Sequence, residues 1–183
     1  MMQNSDAETI RPSEIGWFAT LVTRDGVTIT VRAVLPTDGP ILEDLFENVS
    51  PADLRFRFLS GLRHVDKDRI AQMVAVDYRN TISFLAFEGD RPVATAMLAI
   101  EPDRVTAEVA ISVRTDMKGR GIGWTLLQHV ICYAKANGIE HIKSTESRDN
   151  TVTIGLERDA GFEIAQCEGD PADAVASRAL TED

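Results

Sequence analysis

The sequence predicts one α/β (α+β) domain built around a mixed β-sheet. Several segments carry apolar residues at helical spacing, and others alternate apolar and polar residues as half-buried strands do. Both kinds of segment recur along the 183 residues, a length that suffices for one domain with a substantial core. No internal repeat and no long linker divides the chain.

The first third of the chain is predicted to hold a hairpin and three short helices. Residues 1–15 are polar and are expected to form a disordered lead, so the domain spans residues 16–183. Two β-rich runs in 17–35 are joined by Asp25-Gly26, a dipeptide typical of hairpin turns. The three helices are predicted in 37–50, from Pro51 onward after a Ser50 cap, and in 66–77.

From residue 80 onward the pattern becomes that of a sheet with two helices. The clearest strand is 104–114, where the odd-numbered residues form an apolar face and Glu108 lies on the other face. A helix with apolar residues at i, i+4 spacing follows this strand and stops at Gly138. The remaining predicted elements are a helix in 149–161 and strands in 81–89, 91–102, 139–147, 162–169 and 174–181.

The segment KGRGIGW at 118–124 lies between that strand and that helix. Glycine lets a backbone approach an anion closely, and the first NH groups of a helix have no internal acceptor and carry the positive end of its dipole. Lys118 and Arg120 add positive charge at the rim. The pattern predicts a phosphate or pyrophosphate site, with a plain tight turn as the alternative.

The spacing of these glycines excludes two nucleotide-binding motifs. A P-loop requires GxxxxGK[ST], whereas Trp124-Thr125 follow the last glycine here. A dinucleotide-binding fingerprint requires GxGxxG, whereas these glycines lie at alternate positions, Gly119, Gly121 and Gly123. The loop by itself therefore leaves its anionic ligand open.

Composition and charge narrow the classes of partner. Nineteen Lys and Arg against 29 Asp and Glu give a net charge of −10, so nonspecific nucleic-acid binding is not expected, while cationic amines are attracted. Neither a membrane-length apolar run nor a signal-peptide pattern is present, which predicts a cytoplasmic protein with no membrane partner. The three histidines and Cys132 and Cys167 share no ligand spacing, so we expect no metal and two reduced, buried thiols.

The glycine loop and its surroundings resemble the acyl-CoA-binding core of the GNAT acetyltransferase superfamily. That family's loop pattern is Arg or Gln, two residues, Gly, one residue, then Gly or Ala, and it falls on Lys118, Gly121 and Gly123, with Lys118 as a departure. The segments VTITVRAV and SPADLRFRFLS extend the resemblance to the acetyltransferase module of bacterial protein-lysine acetyltransferases, over about residues 17–181. The tail of the family pattern falls on Asn150, Gly161 and Phe162.

The resemblance implies a GNAT-like mixed, mostly antiparallel central sheet of about 6–7 strands flanked by helices. It also implies acetyl-CoA as acyl donor, with the pyrophosphate in the glycine loop and the pantetheine arm along the 104–114 strand. Asn150 would face the pantetheine or the far side of the cleft. The implied donor-binding residues are Ile111, Ser112, Val113, Lys118, Gly119, Arg120, Gly121, Ile122, Gly123, Trp124 and Asn150.

Acetyl transfer to an amine requires a proton acceptor, because an amine with a pKa of about 10.4 is mostly protonated at neutral pH. A carboxylate beside the thioester can act as general base. Glu108 is the candidate, since it lies on the central strand, Ala110 and Ser112 leave room beside it, and the resemblance implies a Glu base at this position. The alternative is a solvated carboxylate on an exposed strand face. Neither Tyr78 nor Tyr133 is assigned as proton donor to the leaving thiolate.

The acceptor is less defined than the donor. The resemblance favours a lysine in a protein, such as an acyl-CoA synthetase. Two alternatives stay open: acetylation of a small-molecule amine, and a non-catalytic acyl-CoA-binding regulatory module.

Overall fold

The structure is a computed structural model that describes residues 17–59 and 64–180. The predicted lead at 1–15 lies outside these residues, as does the end of the last predicted strand at residue 181. Within the described ranges, no helix combines the length and apolarity that crossing a membrane requires.

Eight strands form one sheet, which confirms the predicted mixed class with slightly more strands than expected. They are β1 (Ala19–Val22), β2 (Thr28–Ala33), β3 (Thr81–Glu88), β4 (Arg91–Ile100), β5 (Thr106–Val113), β6 (His141–Ser147), β7 (Glu163–Gln166) and β8 (Asp173–Ala179). Their order across the sheet is β1-β2-β3-β4-β5-β6-β8-β7. All neighbours are antiparallel except β5 and β6, which run parallel.

Five α-helices flank the sheet in the described part of the chain: α1 (Gly39–Glu47), α2 (Pro51–Phe58), α3 (Lys67–Val74), α4 (Ile122–Ala136) and α5 (Thr151–Asp159). The predicted Ser50 cap is present, because its hydroxyl accepts a hydrogen bond from the Asp53 backbone NH. Asp38 precedes α1 without capping it, since its carboxylate accepts from the Leu35 NH and pairs with Arg32 instead.

The sheet separates two apolar clusters. On one face, α4 contributes Leu126, Val130 and other buried side chains to the larger cluster, together with Phe84 from β3. On the other face, α1, α2 and α3 pack against Leu85 and Val34. Burial of these side chains is the main stabilising term of the fold and fixes α4 and α2 on opposite sides of β5.

The parallel pair β5–β6 is short, and this determines where a ligand can enter the sheet. Its register runs from Thr106–His141 to Glu108–Lys143 and then stops. Beyond it, β5 continues beside β4 as far as Val113, while β6 continues beside β8. The two strands therefore diverge, and each turns a free backbone edge toward the gap between them.

The expectation of two buried thiols is wrong. Cys132 lies on the outer side of α4 and is exposed, and Cys167 is half-buried. Helical periodicity places Cys132 between buried neighbours, Ile131 and Tyr133, that point the opposite way. Both cysteines are free.

Candidate functional site

A cleft of about 270 Å³ lies where β5 and β6 diverge. Its walls come from α2, the second half of β5, the glycine loop, the first turns of α4, the end of β6 and α5. The predicted donor-binding residues all line this cleft except Arg120. Glu108 also lies outside the lining, at the closed end of the divergence.

The glycine loop has a backbone that side chains would disfavour. Gly119 and Gly121 have φ of +71° and +75°, in the left-handed region. A Cβ on Gly121 would lie 3.2 Å from the Cβ of Thr23, closer than side chains ordinarily pack. Gly123, in the first turn of α4, would meet only ordinary contacts at 3.7 Å. The turn thus requires glycine at two of the three positions.

The loop also presents unpaired donors. Thr125 donates to the Gly121 carbonyl at 3.0 Å, the first such bond of α4. Within the ranges that the structure describes, no acceptor pairs with the backbone NH groups of residues 119–124. No acidic residue lies in the first turn of α4 to compete for them. These NH groups and the helix dipole make a preformed cradle for an anion.

Basic side chains surround the cradle. Lys118 pairs with Asp53 of α2, which ties the loop to the opposite wall of the cleft. Arg120 points away from the cleft and lies 3.8 Å from Glu88. Lys118 thus carries charge at the cleft, while Arg120 acts at a distance.

Arg24 is a third cation near the loop, and sequence analysis did not identify it. It lies in the β1–β2 turn, and its guanidinium stacks 4.2 Å from the ring centroid of Trp124. Trp124 itself is half-buried, packs against the main core and lines the cleft. The tryptophan therefore has a core role and a site role, and it holds a guanidinium beside the anion cradle.

The free edge of β5 forms the second part of the cleft. Ile111 and Val113 turn their side chains to the main core while their backbone borders the gap. Ser112 is buried, and its Oγ has no hydrogen-bond partner among the described residues. An extended ligand can add to this edge as a further strand would.

Asn150 lies at the far end of the cleft and is held by the protein. Its Nδ2 donates to Oε2 of Glu146 at 2.9 Å, and its Oδ1 accepts from the Thr153 NH at 3.4 Å. It caps α5 and orients a carboxyl group. The expectation that it faces a pantetheine group stays a prediction.

Glu108 lies at the vertex of the divergence. It is opposite Lys143 in the last β5–β6 pair, is exposed, and accepts a hydrogen bond from Thr145 Oγ1 at 3.1 Å. Lys143 pairs with Glu101 rather than with Glu108. The carboxylate is thus oriented by a hydroxyl and is open to solvent at the rim of the cleft.

Two further carboxyl groups line the cleft itself. Glu157 of α5 is 4% exposed and accepts a hydrogen bond from the hydroxyl of Ser144. Burial raises the pKa of Glu157. Burial, with the charge of Glu157, raises the pKa of Glu146 to about 8, against the opposing effects of Asn150 and Arg57. Such groups hold protons at neutral pH.

Arg57 enters the cleft from α2. Burial lowers the pKa of its guanidinium, and the charges of Glu146 and Glu108 oppose that effect. It also stacks 5.0 Å from the ring centroid of Phe58. The cleft therefore holds a cation between a rim carboxylate and a buried carboxyl group.

Other residues considered from the sequence lie elsewhere. The Tyr78 hydroxyl donates to the Val34 carbonyl at 2.8 Å. Tyr133 and His129 pack edge-to-face against Trp17 in the core. Neither tyrosine lines the cleft. Among the residues that the structure describes, no group of three His, Cys, Asp or Glu side chains is placed to hold a metal ion.

Sequence reasoning missed four residues of this region: Arg24, Arg57, Glu146 and Glu157. Arg57 was considered only as part of an amphipathic helix. For Glu157, the spacing from Ile154, Leu156 and Ala160 offered a weak signal, because an acidic residue on the inner side of a short helix needs a partner. Arg24 and Glu146 gave none, since each reaches the cleft only through tertiary packing.

Comparison with known proteins agrees with this geometry. Residues 49–162 match the sequence model of the Acetyltransferase (GNAT) family. Acetyltransferase PA5475 of Pseudomonas aeruginosa is 26% identical over 158 residues, 84% of each chain. The L-methionine sulfoximine/L-methionine sulfone acetyltransferase of the same species is 36% identical over 94 residues, 51% of each chain.

Solved structures share the fold. The GNAT domain of S. lividans PAT superimposes with a TM-score of 0.84 at 24% identity, covering 90% of this chain and 97% of that one. The yncA structure of Salmonella typhimurium, solved with its cofactor acetyl-CoA, gives a TM-score of 0.67 at 21% identity, covering 85% and 95%. At these identities the likeness concerns the fold.

Proposed function

Because the chain belongs to the Acetyltransferase (GNAT) family, we propose that it acetylates lysine side chains of proteins, with Glu108 as general base. Its membership makes it an acetyl-CoA-dependent N-acetyltransferase. The acceptor, the base and the residues that hold the donor are the proposed parts. The observation that carries them is the meeting of an anion cradle and a free strand edge in one cleft.

Acetyl-CoA fits the two halves of this cleft. Its pyrophosphate matches the unpaired NH groups of residues 119–124, with Lys118 and Arg24 as nearby cations. Its pantetheine arm, an extended chain with two amides, matches the free edge of β5 at Ile111–Val113. The thioester then lies toward the narrow end of the divergence, near Glu108.

The chain's own residues supply the proton chemistry. A lysine amine must lose a proton as it attacks, since its ammonium form has no lone pair. Glu108 accepts that proton directly or through one water, and Thr145 holds the carboxylate in place. A backbone NH on the free edge of β5 offers a hydrogen bond to the developing charge on the thioester oxygen.

Charge and exposure support a protein lysine. The net charge of −10 attracts cationic segments, and Glu108 is exposed, so a side chain on another protein's surface reaches it. An acyl-CoA synthetase in the cytoplasm is the acceptor we propose. No property of the cleft distinguishes it from other lysine-containing proteins.

One observation favours a second acceptor class. A relative that is 36% identical over half the chain is named for an amino-acid derivative, L-methionine sulfoximine. The Arg57 guanidinium in the cleft is suited to the carboxylate of such a molecule. A small amino-acid-like amine is therefore the alternative.

Release of free CoA thiol tests both classes. We expect a lysine-containing peptide or an acyl-CoA synthetase to accelerate release from acetyl-CoA, with mass increase on lysine. Faster release with L-methionine sulfoximine, and none with lysine substrates, would support the alternative. If acetyl-CoA binds but no amine accelerates release, the protein is a binding module and the proposal fails.

A further inference from the structure

We propose that Glu157, held beside Glu146, gives a proton to the sulfur of coenzyme A as the acetyl group leaves. The inference rests on the acetyl transfer described above but on no particular acceptor. It makes Glu157 a catalytic residue and Glu146 a positioning residue.

The contacts of β6 place Glu157 on the thiol side of the reaction. Thr145 donates to Glu108, and its chain neighbour Ser144 donates to Glu157. Neighbouring residues of a strand point to opposite faces. The two carboxyl groups are therefore held on opposite faces of β6 at one level of the divergence. An amine deprotonated by Glu108 attacks from one face while the sulfur departs toward the other.

Glu157 has an oxygen free for this task. Ser144 occupies Oε1, while Oε2 is buried and has no hydrogen-bond partner among the described residues. The side chain lines the cleft that holds the free edge of β5. A buried polar atom without a partner is costly in a folded protein, and it is common where a ligand completes the site.

Glu146 keeps the pair from carrying two charges. It lies two residues after Ser144 on the same strand and lines the same cleft. The groups that face it are Glu157 of α5, Arg57 of α2, Asp173 of β8 and the Asn150 amide. Two carboxyl groups in one poorly solvated site do not both ionise, and the raised pKa of each reflects this. The pair thus holds a proton at neutral pH, while Arg57 stabilises the charge that remains once the proton has left.

The step balances with solvent as the only other participant. The amine nitrogen forms a bond to the carbonyl carbon, and the carbon–sulfur bond breaks with its electron pair going to sulfur. Glu108 takes a proton from the amine, and Glu157 gives one to the sulfur, so N-acetyl amine and CoA thiol leave neutral at the reacting atoms. Glu108 then releases a proton to water and Glu157 regains one. Without a donor, an anionic thiolate would form beside two carboxyl groups.

A change of leaving group tests this role. The selenium analogue of acetyl-CoA releases a selenol, which is a much stronger acid than a thiol and leaves without a proton. We expect Glu157→Gln to lower kcat with acetyl-CoA by ~10²-fold and with the selenium analogue by less than about threefold. Glu108→Gln should impair both donors equally, because it acts on the amine. Asp159→Asn, an exposed change on the same helix, should leave both rates unaltered.

The pH profile of the unmodified enzyme gives a test that needs no folded variant. With acetyl-CoA, kcat should fall as pH rises above that of the carboxyl pair, whereas the selenium analogue should show no such fall. Glu146→Gln should move this limb along the pH axis and leave KM for acetyl-CoA unaltered. Equal losses for both donors in Glu157→Gln, or the same basic limb for both, would overturn the proposal. An inactive unmodified enzyme would instead count against the acyl transfer itself.

Discussion

Thr145 Oγ1 donates a hydrogen bond to Oε1 of Glu108 at 3.1 Å, directly after the last β5–β6 residue pair. If this carboxylate is the base, Glu108→Gln should lower kcat by ~10²–10⁴-fold and leave the acetyl-CoA KM nearly unchanged, since the amide accepts no proton. Thr145→Val should lower kcat only a few-fold, because it removes orientation and not the carboxylate. Steady-state kinetics on both, with the exposed change Glu163→Gln as control, decide the assignment. Near-full turnover in Glu108→Gln would reject it.

Gly121 and Gly119 separate backbone strain from steric overlap. Both have positive φ, but only Gly121 would place a Cβ against Thr23. We expect Gly119→Ala to lower the free energy of unfolding by about 1 kcal/mol and Gly121→Ala by roughly 2–3 kcal/mol. Urea unfolding of the two variants measures the difference. Equal losses would mean that Thr23 moves aside at little cost.

The cations at the cradle should affect donor binding through charge. Arg24→Ala and Lys118→Ala are each expected to raise the Kd of CoA by about three- to tenfold at low ionic strength. The effect should shrink at about 0.5 M salt, because screening weakens attraction to phosphate. Titration calorimetry at two salt concentrations measures this. Arg148→Ala, an exposed change away from the cleft, is the control, and an equal effect there would reject the role of the loop cations.

Glu146 links stability to pH. Its pKa in the folded protein is raised to about 8, above the unfolded value, so the folded state holds the proton more tightly. Its stabilising contribution is complete below pH ~4 and is lost as pH rises toward about 8. Glu146→Gln should therefore match the unmodified protein at pH 5 within about 1 kcal/mol and exceed it at pH 9 by roughly 2–4 kcal/mol. Urea unfolding across this range tests it, and a constant difference would contradict the assignment.

The sequence predicted the parts of the molecule that local patterns determine. The Asp25-Gly26 hairpin, the Ser50 cap and the helix after the glycine loop are confirmed, because turn chemistry and helical period leave local signatures. The parallel β5–β6 junction, by contrast, depends on strands far apart in the chain. Local periodicity contains no information on which strands become neighbours, so the depth of the cleft could not be predicted.

The same distinction applies within the site. Glycines at alternate positions predicted an anion cradle, and the structure leaves the corresponding NH groups unpaired. Glu146 and Glu157 acquire their properties from burial by α5 and β6, which no spacing expresses. Arg24 reaches Trp124 from a turn about a hundred residues earlier in the chain. Roles that depend on tertiary proximity emerge only once the fold is known.

The short β5–β6 junction has a mechanical consequence. The strands from β1 to β5 form one plate and β6, β8 and β7 form another, and three residue pairs are the seam that joins them. A donor arm laid along β5 would act as a wedge that fills the opening and braces the plates against each other. Substrate binding would then stiffen the sheet as a whole, and release of CoA would restore its freedom to flex at the seam.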